Sequence, residues 1–339
     1  MTTEAFASFS DTAIMFAGIV YVLALAAHVA EWVVALTTPA RSGGAEGAAA
    51  QPVVVGADGS RIDGPAAGAG SGSLPERPAD AGDERRELRI DTASRIGVAL
   101  TVVAAVLHTA GVVTRSFASD PWRVPWGNMY EFTLTGALGV TLIYLVLLRT
   151  LRLRWMGLFL TLFQVVVLML ANLTLEQQAG PLVPALHSYW LVIHVGAAIL
   201  ATGAFAVGAL TSVMFLVKLR MGERRAALLD RFPDADTLDR ISYRLHAVGF
   251  PLWTFAALIA GPIWAEYAWG SYWNWDPKEV WAFITWVVYA AYLHARATAG
   301  WKGKAAAIIA LIGFATLLFN FVGINFFFGA SSLHSYAGS

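Results

Sequence analysis

Eight stretches of this chain run apolar for roughly 20 positions or more, the length at which an α-helix crosses the hydrocarbon core of a bilayer. They fall at about 12–36, 95–114, 127–148, 154–174, 188–218, 245–265, 278–298 and 304–329. With 57% hydrophobic and only 14% charged residues, the chain lies outside the range of a soluble globular domain. The expected fold is an all-α polytopic membrane protein of about eight transmembrane helices, and an even number of spans puts both termini on one side. The fifth stretch exceeds what a bilayer needs, so it must tilt or extend into water.

Orientation follows from the basic residues. If residues 264–281 lie outside, 20 of the Lys and Arg side chains fall on cytoplasmic segments and only Arg115, Arg123 and Lys278 fall outside, a strong positive-inside bias. A multi-pass protein of the cell membrane is expected, with both termini extracytoplasmic. Residues 38–94, rich in Gly, Ala, Pro, Ser and charge, have too little to bury against the entropy of ordering. They read as a disordered cytoplasmic linker, with helix near 83–94, between an accessory transmembrane helix at 1–37 and a seven-helix bundle at 95–339. Residues 219–244 read as a second cytoplasmic loop able to form a solvated amphipathic helix. Met-Thr-Thr-Glu-Ala lacks the basic start of a signal peptide, so the first apolar segment is expected to remain as a span. The formal net charge of zero supports no nucleic-acid partner. Cysteine is absent, which excludes disulfides, thiolate metal sites and a cysteine nucleophile.

Between the sixth and seventh stretches, residues 263–281 read Ile-Trp-Ala-Glu-Tyr-Ala-Trp-Gly-Ser-Tyr-Trp-Asn-Trp-Asp-Pro-Lys-Glu-Val-Trp. Together with Trp286 this region holds six of the 13 tryptophans. Trp and Tyr gather where membrane helices meet water, and that accounts for two or three of them. It does not account for indoles and a phenol set among Gly and small polar residues, which let a backbone approach a flat ligand. Asp276, Pro277 and Glu279 suit the N-cap, N1 and N3 positions of a helix start, so Asp276 needs no catalytic role.

This stretch resembles the tryptophan-rich WWD signature of haem-handling proteins of cytochrome c maturation, and most nearly the CcsA (ResC) family of system II cytochrome c synthases. The resemblance runs from about Pro125 to the C-terminus. It includes Pro-Trp-Gly-Asn-Met-Tyr-Glu-Phe at 125–132, Ser-Tyr-Trp-Leu-Val-Ile-His-Val at 188–195, Tyr-Leu-His-Ala-Arg at 292–296 and Leu-His-Ser-Tyr at 333–336. It implies a haem b held transiently and without covalent bonds at the outer face, lined by the stretch that carries Trp264, Trp269, Tyr272, Trp273, Trp275 and Asp276, with His194 and His334 as iron ligands. It assigns His294, about 24 Å deeper by helix rise, to a second, inner haem position whose opposing ligand comes from a CcsB (ResB)-like membrane subunit. An apocytochrome bearing CxxCH is the implied client, served by a thioredoxin-like reductant.

The other histidines divide by depth. His28, with Glu31 one turn away, and His246 share the inner level with His294, as ligand candidates or as polar packing. His187 and His108 lie toward the outer level. The outer cations Arg115, Arg123 and Lys278 are candidates for the haem propionates or simply solvated charge. Asn128 and Glu131 match the family's Asn-x-Tyr-Glu pattern and are expected to fix the third span against its neighbours or the substrate. The implied function is haem delivery and attachment, with no residue needed as general acid or base. The alternatives are a haem exporter without attachment activity and an electron-transfer cytochrome b subunit, which would hold paired histidines well inside its helices.

Overall fold

The computed structural model describes residues 2–37, 78–151, 153–180, 186–221, 232–298, 300–328 and 332–334, and among these every regular element is helical. Helix α1 is Thr3–Thr37, α2 Pro78–Arg115 and α3 Met129–Leu151. Helix α4, Gly157–Leu170, is prolonged by a π-turn at Ala171–Leu175, and α5 is Tyr189–Met221. Helix α6, Ala235–Phe255, passes through a π-turn at Ala256–Ala260 into α7, Gly261–Trp269. Helix α8 is Pro277–Thr298; α9, Lys304–Leu318, continues through a π-turn at Phe319–Gly323 into α10, Ile324–Phe327.

Counted as continuous rods these make the expected eight, and seven are long and apolar enough to cross a membrane. The remaining one, α8, has 22 residues and is long enough, but Trp and Tyr carry much of its apolar surface. Large apolar side chains such as Phe16, Val106, Val146, Leu173 and Val248 are exposed, as they must be where the solvent is lipid.

Two segment boundaries differ from expectation. Of the proposed linker, residues 38–77 lie outside the described residues, whereas the chain is helical from Pro78, with proline at the start of α2 where its missing N–H is harmless. Of the proposed loop at 219–244, residues 222–231 lie outside the described residues. From Ala235 onward the chain is part of α6, started by Asp234, which accepts the Thr237 amide at 2.7 Å.

The helices pack as two groups. In the first, α1 lies antiparallel on α2. Its buried positions Ser10, Ile14, Ala17, Tyr21, Ala24 and His28 alternate steps of four and three, the period of a continuous helix–helix seam. The His28 ring rests on Gly97 of α2 and Gly157 of α4, so closely that a Cβ on either would overlap it. In the second, α5, α6, α8 and α9 share a core in which Phe205 stacks on Tyr289, ring centres 3.9 Å apart and nearly parallel. The groups meet through α3 and α5, where Gly139 and Gly203 admit Ile199 and Ile143. Another core cluster, containing Tyr144, Trp155, Phe215 and Leu238, joins residues of both groups.

A buried ion cluster closes the α1–α3 end. Glu131 takes Arg123 through two hydrogen bonds, 2.5 and 2.9 Å, and Arg115 at 3.4 Å. Arg115 also reaches Asp11 at 3.0 Å and the Gln177 carbonyl, while Arg123 holds the Gly180 carbonyl at 2.8 Å. The Asn128 side chain caps α3 by accepting the Glu131 amide at 2.9 Å. Asn128 and Glu131 therefore fix the third span. Arg115 and Arg123, by contrast, are buried and committed to Glu131; of the three cations considered for propionates, only Lys278 stands near the tryptophans. Removing one member of a buried ion pair strands the other, so Glu131→Ala should lower the unfolding free energy by about 3–5 kcal/mol. Chemical unfolding in mixed micelles measures this, and a loss below about 1 kcal/mol would mean the cluster is solvated.

Candidate functional site: an indole and imidazole cluster

The tryptophan stretch is mostly helix rather than loop. Trp264 and Trp269 belong to α7, which stops at Gly270 in the left-handed conformation, φ 71°, with its amide bonded to the Glu266 carbonyl at 2.9 Å. The external loop expected over 264–281 thus reduces to residues 270–276, because α8 begins at Pro277. Its start matches the capping expectation: Asp276 accepts the Lys278 amide at 2.9 Å, and Glu279 reaches back to the amides of Asp276, 3.1 Å, and Asn274, 2.8 Å. Within the loop, Trp275 sits at φ 55°, a left-handed conformation uncommon for a bulky residue.

Four of the predicted residues converge. His194, five residues into α5, stacks on Trp264 with ring centres 5.9 Å apart and planes within 10°. His334 meets the same indole edge-on at 5.4 Å and Trp269 at 4.7 Å. Trp264 and Trp269 are themselves 4.7 Å apart. Through the shared Trp264 ring the two imidazole centres lie within about 11 Å of each other. Trp264 is 2% exposed, so it is a packed wedge against both histidines and not an open shelf. Around it lie Leu186, Leu191 and Val195, with Trp126 and Trp190 behind.

Each imidazole is oriented by its Nδ1. In His194 that nitrogen is 2.9 Å from the Ala256 carbonyl; a carbonyl only accepts, so Nδ1 carries the hydrogen and Nε2 keeps the lone pair. The Ala256 carbonyl is placed by the π-turn that precedes Gly261-Pro262, a break suited to a proline that has no N–H to give. Gly261 provides the close approach, since a Cβ there would come 3.1 Å from His194 Nδ1.

In His334, Nδ1 donates to Asp276 at 3.1 Å, which again leaves Nε2 as the lone-pair nitrogen. The same carboxylate accepts the Ser332 hydroxyl at 2.9 Å and the Leu333 amide at 2.6 Å, and Lys278 Nζ donates to the His334 carbonyl at 3.3 Å. Burial by itself works to raise the Asp276 pKa. The hydrogen bonds from His334 and from the amides of Lys278 and Leu333 outweigh it and hold the carboxyl at about 2. Asp276 is thus both helix cap and clip for residues 332–334.

The other predicted residues do not join this cluster. Tyr272 and Trp275 are exposed, and Trp273 meets Trp275 edge-on at 6.0 Å on the rim. His187 is exposed near the start of α5. His294 lies 17 residues along α8, about 26 Å from its start by helix rise, and is exposed on the helix surface. The end of α8 that carries it is fixed by Arg296, which holds Asp239 through two bonds of 2.8 and 3.0 Å. His246 and His28 are buried and do not face His294: His246 packs on Tyr292 at 5.2 Å, two residues and therefore about 200° around α8 from His294. His28 bonds Glu31 at 3.1 Å between α2 and α4.

Sequence reasoning missed Ser332, the second role of Asp276 and the Ala256 carbonyl. Gly261-Pro262 inside an apolar run was the available signal for the last; nothing local marks the first two.

Histidines from two separate segments thus meet on one buried indole in an all-helical bundle, seven of whose described helices are long and apolar enough to cross a membrane. The family model described as "Cytochrome C assembly protein" matches residues 126–330. The chain is 35% identical over 304 residues to the cytochrome c biogenesis protein CcsA of Synechococcus sp. (strain JA-3-3Ab), covering 73% of this chain and 87% of that protein. It is 37% identical over 263 residues to CcsA of Guillardia theta, covering 71% and 85%. With CcsA of Gloeobacter violaceus the identity is 34% over 302 residues, covering 73% and 88%. The chain belongs to the cytochrome c assembly protein family, and its role lies in cytochrome c maturation.

Replacing Asp276 by Asn keeps a helix cap but removes the charge that gathers Ser332, Leu333 and His334. Charge-assisted hydrogen bonds contribute about 1.5–3 kcal/mol each, so Asp276→Asn should free the C-terminal segment. Limited proteolysis should then cut after Phe328 several-fold faster, while the melting temperature of the bundle hardly changes. An unchanged cleavage rate would show that the clip does not hold the segment.

Proposed function

We propose that the chain binds haem b transiently between His194 and His334 and presents it for thioether attachment to a CxxCH apocytochrome c, together with a CcsB/ResB-like membrane subunit. The observation that carries this reading is the anchoring of the two histidines through Nδ1. Each is anchored through Nδ1, one by the Ala256 carbonyl and one by Asp276, so each offers Nε2 as a ligand. Carboxylate or carbonyl behind imidazole is the arrangement that orients and strengthens a metal-ligating histidine. The donor set fits haem iron, and the indoles of Trp264 and Trp269 supply apolar surface beside it. For both imidazoles to share one iron, Trp264 or residues 332–334 must shift, since both rings now lie on Trp264.

His294 supports the inner position and the partner together. It is an exposed imidazole on a membrane helix, and an ionisable side chain at that depth facing outward is costly unless a neighbouring protein covers it. A partner helix carrying a second ligand would do so. The sidedness of the reading rests on basic residues.

Haem, when bound, supplies the vinyl groups to which reduced client thiols add. This chain, which has no cysteine of its own, holds and orients it, and a thioredoxin-like reductant keeps the CxxCH thiols reduced. Co-expression with a CcsB-like subunit and a CxxCH reporter tests the reading. His194→Ala and His334→Ala should each cut covalent haem on the reporter by about tenfold or more, and His294→Ala should lower the haem content of the purified complex in reduced-minus-oxidised spectra. Normal attachment in both outer variants would overturn the proposal, and haem export without covalent reporter haem would favour an exporter.

A further inference from the structure

Apart from the indole site, the α1–α4 group contains a line of buried polar side chains. On α2 they recur every seven residues, Ser94, Thr101, His108 and Arg115, all buried. On α1 the same seam holds Tyr21, His28 and Glu31. From Asp11 to Glu31, α1 rises about 30 Å, the full thickness of a hydrocarbon core.

The middle of this line is under-satisfied. The Tyr21 hydroxyl donates to Thr141 at 3.2 Å, and the Gln164 amide donates to the Ala137 carbonyl at 2.7 Å. His108, edge-on to Tyr21 at 6.1 Å, has no hydrogen-bond partner on either ring nitrogen; the Leu134 carbonyl approaches it without making one. Gln164 Oε1, the Tyr144 hydroxyl and His28 Nε2 are likewise buried without a partner. Five buried nitrogen and oxygen atoms on these four side chains thus lack a partner, although His28 and Gln164 each make one hydrogen bond through their other polar atom. Bound water is the usual remedy where several polar atoms converge.

The two ends differ. One carries the His28–Glu31 pair, 3.1 Å apart. The other carries the guanidiniums of Arg115 and Arg123 around Glu131, and fixed cationic groups at a constriction exclude protons. We propose that this seam is a hydrated half-path for protons: water beside His108, Gln164 and Tyr144 connects His108 with the His28–Glu31 end, and Arg115 and Arg123 close the opposite end. The titratable groups facing it are Asp11, Tyr21, His28 and Glu31 on α1, His108 and Arg115 on α2, Arg123 before α3, and Tyr130, Glu131 and Tyr144 on α3; α4 contributes neutral Gln164 and Thr161. The inference does not depend on haem binding at the indole site.

Hydroxyl radicals generated from bound water label the side chains next to it, so radiolytic labelling of the full chain in nanodiscs reads the seam directly. Tyr21 and Tyr144 should be oxidised about fivefold faster than Trp253, which is equally buried but has its indole N–H satisfied by the Ala282 carbonyl at 3.2 Å. His108→Leu should slow labelling of Tyr21 and leave exposed Tyr267 unchanged. Labelling of Tyr21 and Tyr144 no faster than that of Trp253 would show a dry seam and end the proposal, whether or not the variant folds. In sealed vesicles with an entrapped pH dye and an imposed potassium potential, the wild-type chain should pass protons no faster than protein-free vesicles. Sustained flux would overturn closure at the guanidinium end.

Discussion

The structure depends on one constraint: inside a bilayer every polar group must find its partner within the protein. Helices meet it for the backbone, and the side chains that break the apolar pattern show where it shapes the rest. Glu131 draws two arginines and four elements together because none of these charges can be left alone. Asp276 does the same at smaller scale, capping α8 while collecting Ser332, Leu333 and His334. At both places a single carboxylate decides how separate segments sit, and at Glu131 its loss would strand two buried guanidiniums.

The same constraint sets the chemistry of the two convergent histidines. An imidazole packed inside the protein needs an acceptor for its N–H, and here the acceptors are the Ala256 carbonyl of a π-turn, which also takes the Gly261 amide, and a carboxylate shared with a helix cap. Satisfying Nδ1 leaves Nε2 as the nitrogen with the lone pair. Fixing the tautomer is thus a by-product of polar satisfaction, which is why both residues keep the lone pair on Nε2 although they come from different segments and use different partners.

The sequence made the fold legible because membrane spans are written in long apolar runs, and the capping residues of α8 could be placed from Asp276-Pro277-Lys278-Glu279 alone. Segment ends were less clear where helices run beyond the bilayer: α2 from Pro78 and α6 from Ala235 continue through polar residues that hydropathy reads as loop. The convergence of His194, His334, Trp264 and Trp269 was expected from resemblance and from depth. What could not be read was the internal arrangement. Trp264 looks like part of a surface loop in the sequence, but helix α7 extends through it and turns it inward, while Tyr272 and Trp275 remain on the rim. Arg115 and Arg123 look like free outer cations because their partner Glu131 lies on another segment. The seven-residue spacing of Ser94, Thr101, His108 and Arg115 was visible all along; it was masked by the apolar residues between, which dominate any window average.

Two kinds of anchoring meet at the indole site, and they suit a ligand that must leave. His194 is part of a long helix, stacked on Trp264 and tied to the backbone of α6, so its position is as rigid as the bundle. His334 follows the last helix and is held chiefly through Asp276 and Lys278, groups that also serve the start of α8 and stay in place without it. A site meant to retain a cofactor permanently gains from two rigid ligands. A site that takes up haem and then yields it to a client gains from one fixed ligand and one that can be released by breaking a few hydrogen bonds at the protein surface. On the proposed function, the side that would move is the 332–334 segment, which the Asp276 clip holds in place.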